Sequence, residues 1–232
     1  AEAIRRMTLF EDKHVLVLNK PFGLAVQGGS GTKRHIDGML AALADEKGNR
    51  PVLVHRLDRD TSGCLLLAKR ASTLRDLHRL IRENGVEKRY LALLVRPLPR
   101  PALTVDAPLL KNTLKSGERV VRVDPTQGKP ARTLFRRLQR LGEFDLVEAS
   151  LITGRTHQIR VHAASLGTPL AGNEKYGDET ANKGLRLLGL RRLFLHAASL
   201  RLQPAHLDQP LHVQAPLPAD LESLLRRLEG IK

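Results

Sequence analysis

The feature that most constrains this chain is the length of its apolar runs. HVLVLNK (14–20), PVLVHRL (51–57), CLLLAK (64–69), RYLALLV (89–95), ERVVRVD (118–124), FDLVEASL (144–151), LFLHAASLRL (193–202) and HVQAP (212–216) are each about one strand long, rich in Val and Leu, and bounded by turn residues. Three stretches instead have the spacing of a helix. These are 72–84 with Leu74, Leu77, Leu80 and Ile81, then 156–166, then 219–229 with Leu221, Leu224, Leu225 and Leu228. Gly85, Gly167 and Gly230 follow them, where helix C-caps are expected. Strands and helices interleave without the steady alternation of a parallel α/β chain, and many connections are short. The expectation is an α+β fold, with a mixed, largely antiparallel sheet flanked by helices, and not a Rossmann fold. RPLPRPAL (96–103) is the expected rigid connector, and NEKYGDETANKG (173–184) an expected polar loop.

A length of 232 residues suffices for one large domain or two small ones, and nothing in the sequence argues for several. Lys and Arg number 39 against 24 Asp and Glu, a net charge of +15. An excess of that size favours a polyanionic partner, most often nucleic acid. Aromatic residues are only 3 % of the chain and Trp is absent, which argues against a broad aromatic platform of the single-strand-binding kind. The one cysteine cannot form an internal disulfide, which suits a reducing cytosol, and it rules out a zinc cluster built from thiols. Every apolar run is shorter than the roughly 18 residues needed to span a bilayer. The opening AEAIRRMTLF lacks the apolar core of a signal peptide. The expectation is a soluble, cytoplasmic protein with no membrane association and no protein partner specified by the sequence.

Several segments invite a chemical reading. GGSGTK (28–33) is not a phosphate-binding loop, because no Gly immediately precedes Lys33 and the dinucleotide spacing is missing too, so a flexible turn is expected there. Cys64 opens an apolar strand and reads as a small core residue. HRLDRDTSG (55–63) packs His, two Arg, two Asp, Thr and Ser between two strand candidates. It is either an ion-rich turn in which Arg56 and Arg59 neutralise Asp58 and Asp60, or a site. TGRTHQIRVHAASLGTPLAGNEKYG (153–177) starts with a turn and then a helix from Thr156, with Arg155, His157, Arg160 and His162 over its first turns. Cations at a helix N-terminus oppose the macrodipole, so they point to an anionic partner, either a carboxylate or phosphates. His157 and His162 are five apart and do not share a helix face well, so no metal site is expected.

These segments together resemble a known family. HRLDRDTSGCLLLAK is similar to the active-site motif of the RluA-type pseudouridine synthases. EDKHVLVLNKPFGLAVQGG (11–29), EKRYLAL (87–93), TGRTHQIRVHAASLGTPLAG (153–172) and RLFLHAASL (192–200) resemble the family's other blocks in the same order. APLLKNTLKSGERVVRV (107–123) resembles the RluC-type subgroup, which acts on large-subunit ribosomal RNA. One departure is Asn173, where the family often has Asp. Members of this subgroup usually begin with a small S4 RNA-binding domain. None is visible here, so residues 1–232 are expected to be the catalytic part.

The resemblance implies an enzyme that isomerises uridine in ribosomal RNA without a cofactor or metal. Asp58 would be the nucleophile, Arg56 would enter the helix stack as the target base leaves, and Tyr90 would pack against the uracil. Arg155 would pair with Asp58, with Arg160 second in line for that role. His55, His157 and Leu195 fall in the same blocks, as further candidates for binding substrate. The chemistry agrees with such roles. Pseudouridine forms when the bond from ribose to N1 breaks, the uracil turns, and C5 is joined instead, with no net oxidation. A carboxylate beside an arginine stays ionised well below neutral pH and can act as a covalent nucleophile, at C1′ or C6, or assist an elimination. A stacked base must first be flipped out, at a few kcal/mol. Two other classes are consistent with parts of the sequence. A catalytically silent RNA-binding module would keep the charge without needing the acid, and a carboxylate-pair hydrolase would use Asp58 with Asp60.

Overall fold

The structure, a computed structural model, describes residues 1–29 and 31–231. Ser30 of the Gly-rich segment lies outside the described residues. The chain forms two compact units, Ala1–Lys88 with Ala197–Pro216, and Arg89–His196 with Leu217–Lys232.

The first unit opens with α1 (Glu2–Met7), β1 (Thr8–Glu11) and β2 (Val15–Lys20), followed by α2 (Ile36–Leu40), β3 (Val52–Leu53), β4 (Ser62–Ala68) and α3 (Ala71–Arg82). It also holds residues from Ala197 onward of β11 (Leu195–Leu202), and β12 (Leu211–Gln214). β2 lies between β1 and β4, antiparallel to both. β4 neighbours β11, and β12 runs antiparallel along Ser199–Leu202. Val15, Val17, Cys64, Leu66 and Ala68 alternate to one face of the sheet, and α3 covers them with Leu77 and Leu80. Each fully buried Leu contributes about 1.5–3 kcal/mol. Burial also pushes the Cys64 thiol up to about 11, so the cysteine is a core residue as expected.

The second unit carries β5 (Val86–Leu94) from Arg89 onward, β6 (Ala102–Asp106), β9 (Arg132–Leu141) and β10 (Phe144–Leu151), in the order β5-β10-β9-β6, all antiparallel. A separate ribbon pairs β7 (Leu109–Thr113) with β8 (Arg119–Val123). Its helices are α4 (Gln158–Ser165), α5 (Glu179–Leu187) and α6 (Ala219–Glu229). α5 and α6 bury Leu185, Leu221, Leu224 and Leu228 against Leu93, Leu146 and Phe194. The architecture is the expected α+β class with antiparallel pairing.

Three local expectations need correction. PVLVHRL is a strand only at Val52–Leu53. The carbonyl of Leu66 still accepts the Val54 N–H at 3.2 Å, but its N–H donates to the His55 ring at 3.0 Å, so a side chain occupies the place of the next strand residue. Asn84, with φ of 56°, takes the left-handed position after α3, and Gly85 follows it with its N–H on the Leu80 carbonyl at 2.7 Å. Residues 179–184 of the expected polar loop belong to α5, which runs to Leu187 and is capped by the Asp178 side chain, which accepts the Ala181 N–H at 2.9 Å. Gly167, with φ of 73°, ends α4 as expected, and Gly230 is the C-cap of α6 as expected, there in right-handed backbone.

Candidate active site

Asp58 occupies the first position of a β-turn closed by the Thr61 N–H on its carbonyl at 3.0 Å, a position that favours Asp. Thr61 and Ser62, which follow, are almost fully buried. Gly63 then enters β4 with φ of 112°, and a Cβ there would stand 2.2 Å from the Ala197 carbonyl oxygen. Only glycine satisfies both the backbone and this close approach.

A buried lysine ties this turn to the NKPFGL segment. Lys20 has no exposed surface, and its Nζ donates to the carbonyls of Pro21, Leu24 and Arg59, each at 2.9 Å. The Arg59 carbonyl also accepts the Gly23 N–H at 2.9 Å, and Arg59 Nε donates to the Gly23 carbonyl at 3.1 Å. Two loops are thereby held as one piece around Asp58. Arg56 is exposed, with Nη1 donating to Gln27 Oε1 at 2.9 Å. His55 is in a different position. Burial, aided by the Lys88 ammonium, pushes its imidazole down to about 3, so the ring is neutral and its Nε2 accepts the Leu66 N–H.

The second unit holds Tyr90, Arg155, His157, Arg160 and Leu195. Tyr90 is buried in β5, in register with Ala149 of β10. Leu195 is buried at the start of β11, and its carbonyl accepts from Arg192 Nη2 at 3.3 Å. α4 begins at Gln158, two residues later than the sequence suggested. His157 has φ of 53°, outside helical backbone, so Arg155 and His157 precede the helix while Arg160 and His162 are within it. Gln158 organises this entry. Its Oε1 accepts from Thr153 Oγ1 at 2.7 Å and from the Arg155 N–H at 3.0 Å, and its Nε2 donates to the Arg132 carbonyl and to Thr133 Oγ1, both at 2.9 Å. Arg155 is exposed, with Nε on the Pro130 carbonyl at 3.0 Å.

Arg160 is buried, with Nη2 donating to Asn173 Oδ1 at 3.1 Å and its guanidinium 5.3 Å from the centre of the Tyr176 ring. Tyr176 Oη accepts the Val121 N–H at 3.0 Å and hydrogen-bonds His157 Nδ1 at 2.7 Å. Sequence reasoning passed over Lys20, Gln158 and Tyr176. Their signal was polar or aromatic residues inside otherwise structured blocks. Asn173 accepts from Arg160 through a neutral amide, a hydrogen bond without a counter-charge. Among the described residues no three His, Cys, Asp or Glu side chains are grouped to hold a metal.

The fold and the motif blocks define a class, and comparison with known proteins identifies it. The family model of the RNA pseudouridylate synthases matches residues 14–165, and the chain belongs to that family. It is therefore an enzyme of the isomerase class, which sets aside the hydrolase alternative. The chain is 48 % identical over 229 residues to the ribosomal large subunit pseudouridine synthase C of Pasteurella multocida, covering 99 % of this chain and 70 % of that protein. It is 46 % identical over 232 residues to the protein of that name from Escherichia coli K12, covering 99 % and 72 %. Among solved structures, human RNA pseudouridylate synthase domain containing 4 superposes with a TM-score of 0.81 at 31 % identity, over 98 % of this chain and 94 % of that one.

Proposed function

We propose that this chain isomerises uridines of large-subunit ribosomal RNA to pseudouridine in the cytoplasm, with Asp58 as the nucleophile. The observation that carries this is the 46–48 % identity across 99 % of the chain to proteins named for that reaction. The construction around Asp58 supports the assignment of the nucleophile. A carboxylate that must meet a flipped base needs a fixed backbone, and Lys20 and Arg59 provide one with five hydrogen bonds, three of which run between the two loops. Arg56 is exposed two residues away, where a guanidinium can replace the departing base in the stack. Tyr90 takes the role of packing against the uracil. As the cation of the site TGRTHQIR offers Arg155, with Arg160 second in line. Arg155 is exposed, whereas Arg160 is buried with its guanidinium over the Tyr176 ring. His157, hydrogen-bonded to Tyr176, His55, whose ring accepts the Leu66 N–H, and Leu195 complete the set of residues proposed to shape the binding surface.

Two measurements test this. Pseudouridine is mapped in large-subunit ribosomal RNA from cells with and without the gene, and the purified protein is assayed on a transcript of the same RNA. At least one pseudouridine is expected to vanish without the gene and to be formed by the wild-type protein but not by Asp58→Asn or Asp58→Ala. An amide cannot act as the anionic nucleophile, whereas RNA affinity, supplied largely by phosphate contacts, should fall little. Unchanged maps would remove the substrate assignment, and turnover by the alanine variant would remove the role of Asp58.

A further inference from the structure

We infer that Phe22 is a base-stacking residue, whose ring contacts a nucleobase flanking the target uridine. The inference rests on the proposed RNA substrate and adds a specificity contact to it. The chain has five Phe, two Tyr and no Trp. Among the described residues Phe22 is the one aromatic on the open surface, 41 % exposed, whereas Tyr90, Phe135 and Phe194 are buried.

Its backbone is not a loose loop. Lys20 Nζ holds the carbonyls on either side of it, those of Pro21 and Leu24, together with the Arg59 carbonyl. Gly23 exchanges two hydrogen bonds with Arg59, one residue after Asp58. The Phe22 Cα is thus fixed relative to the turn that carries the nucleophile, within one unit of the fold. An apolar ring presented on a rigid backbone loses little freedom when it is covered, which makes it a good contact for a ligand.

The exposed polar side chains of these loops indicate what covers it. Arg59, with Nε on the Gly23 carbonyl, and Arg56, with Nη1 on Gln27 Oε1, are cations. Protein interfaces concentrate apolar residues around an aromatic anchor, whereas single-stranded RNA is held by a ring for the base and cations for the phosphates. The surroundings match the second pattern. A single ring also agrees with a composition too poor in aromatics for an extended platform.

The absence of Trp provides the test. In Phe22→Trp the indole is the only one in the chain, and stacking on a base quenches its emission. The probes are a short uridine-containing single-stranded RNA and the same strand with abasic residues flanking the uridine. Quenching is expected with the first and should be mostly lost with the second. Phe22→Ala should lower kcat/KM on a ribosomal RNA transcript on the order of tenfold, the loss a missing base stack produces. Phe22→Leu, which keeps the apolar surface but not the ring face, should recover little of it. Far-UV circular dichroism and thermal unfolding matching wild type confirm that each variant is folded. Unchanged emission with saturating RNA, quenching that ignores the abasic residues, or full rescue by Leu would overturn the inference, the last in favour of a covering protein segment. If wild type forms no pseudouridine while Phe22→Trp is still quenched base by base, the stacking stands and the proposed reaction fails. If wild type turns over and Phe22→Ala equals it, the stacking alone fails.

Discussion

Arg56 lies two residues before Asp58, yet its role is distinct and separately testable. Its guanidinium rests on Gln27 Oε1 at 2.9 Å, a single neutral hydrogen bond that is easily exchanged for RNA. If it fills the gap left by the flipped uridine, Arg56→Ala should slow single-turnover conversion on structured RNA by more than on a short flexible strand, where less stacking must be recovered. Lys should rescue poorly, since it keeps the charge but not the planar face. Equal losses on both substrates, with good rescue by Lys, would reduce Arg56 to a charge neutraliser. Gly63 gives a second prediction at this scale. Gly63→Ala places a methyl 2.2 Å from the Ala197 carbonyl on a backbone with φ of 112°, so β4 and β11 must separate. The expected cost is about 3 kcal/mol or more, read as a large fall in unfolding temperature together with lost turnover. Asp58 and Arg56 stand out as candidates in the sequence, because a dense charged motif between strands is conspicuous. Lys20 does not, since a lysine at the end of an apolar strand looks like a solvated terminus.

Elements were legible where the apolar period was clean and illegible where function or charge overrode it. β2, β4, β10 and α6 match their runs closely. β9 was missed because Arg132, Arg136 and Arg140 punctuate it, although Thr133 and Phe135 alternate inward as a half-buried strand requires. α5 was missed because Gly184 and its polar residues resemble a loop, although Asp178 and Glu179 form an ordinary helix start. α4 carries a prediction of its own. His162 is fully buried in it, with Nε2 donating to the Ala107 carbonyl and Nδ1 accepting from Thr133, both at 2.8 Å. Burial holds its imidazole below the usual range, and His55 is held down to about 3. With folded values below the unfolded 6.5, the unfolded chain takes up protons first as pH falls. The stability these groups contribute is complete above about pH 6.5 and is lost progressively below it, by up to about 1.4 kcal/mol per pH unit for each neutral imidazole. The unfolding temperature should therefore drop between about pH 7 and pH 5, before the carboxylates titrate. His162→Gln should be less stable at neutral pH but flatter across that range, and an equally steep variant would show that His162 is not the titrating group.

At the scale of the whole molecule the excess of fifteen positive charges is the feature that sequence alone makes plainest, and the fold separates cations matched by carboxylates from those open to solvent. Arg137 and Arg140 both bind the buried Asp145, Arg79 bridges Asp76 and Glu83, and Arg96 joins Asp178. These cations are matched by carboxylates and contribute to the fold. Lys33, Arg34, Lys111 and Lys115, by contrast, are exposed on loops and on the β7–β8 ribbon, with side chains open to solvent. If this second group faces RNA, binding must release counterions. The logarithm of the affinity should then fall with the logarithm of salt, by about 0.7 per phosphate neutralised on single strands, so four contacts give a slope of about −3. A charge excess that only keeps the protein in solution predicts a flat line. The two are separated by measuring the Kd for a ribosomal RNA fragment across a salt series, for wild type and for Lys33→Gln with Arg34→Gln. The double variant should bind more weakly at low salt and show a shallower slope, by up to about 1.4. Because those two side chains bear no part of the core, its unfolding temperature should stay at the wild-type value. A slope unchanged by the substitution would move the RNA path away from this loop, and a flat wild-type response would show that the surface charge does not bind RNA at all.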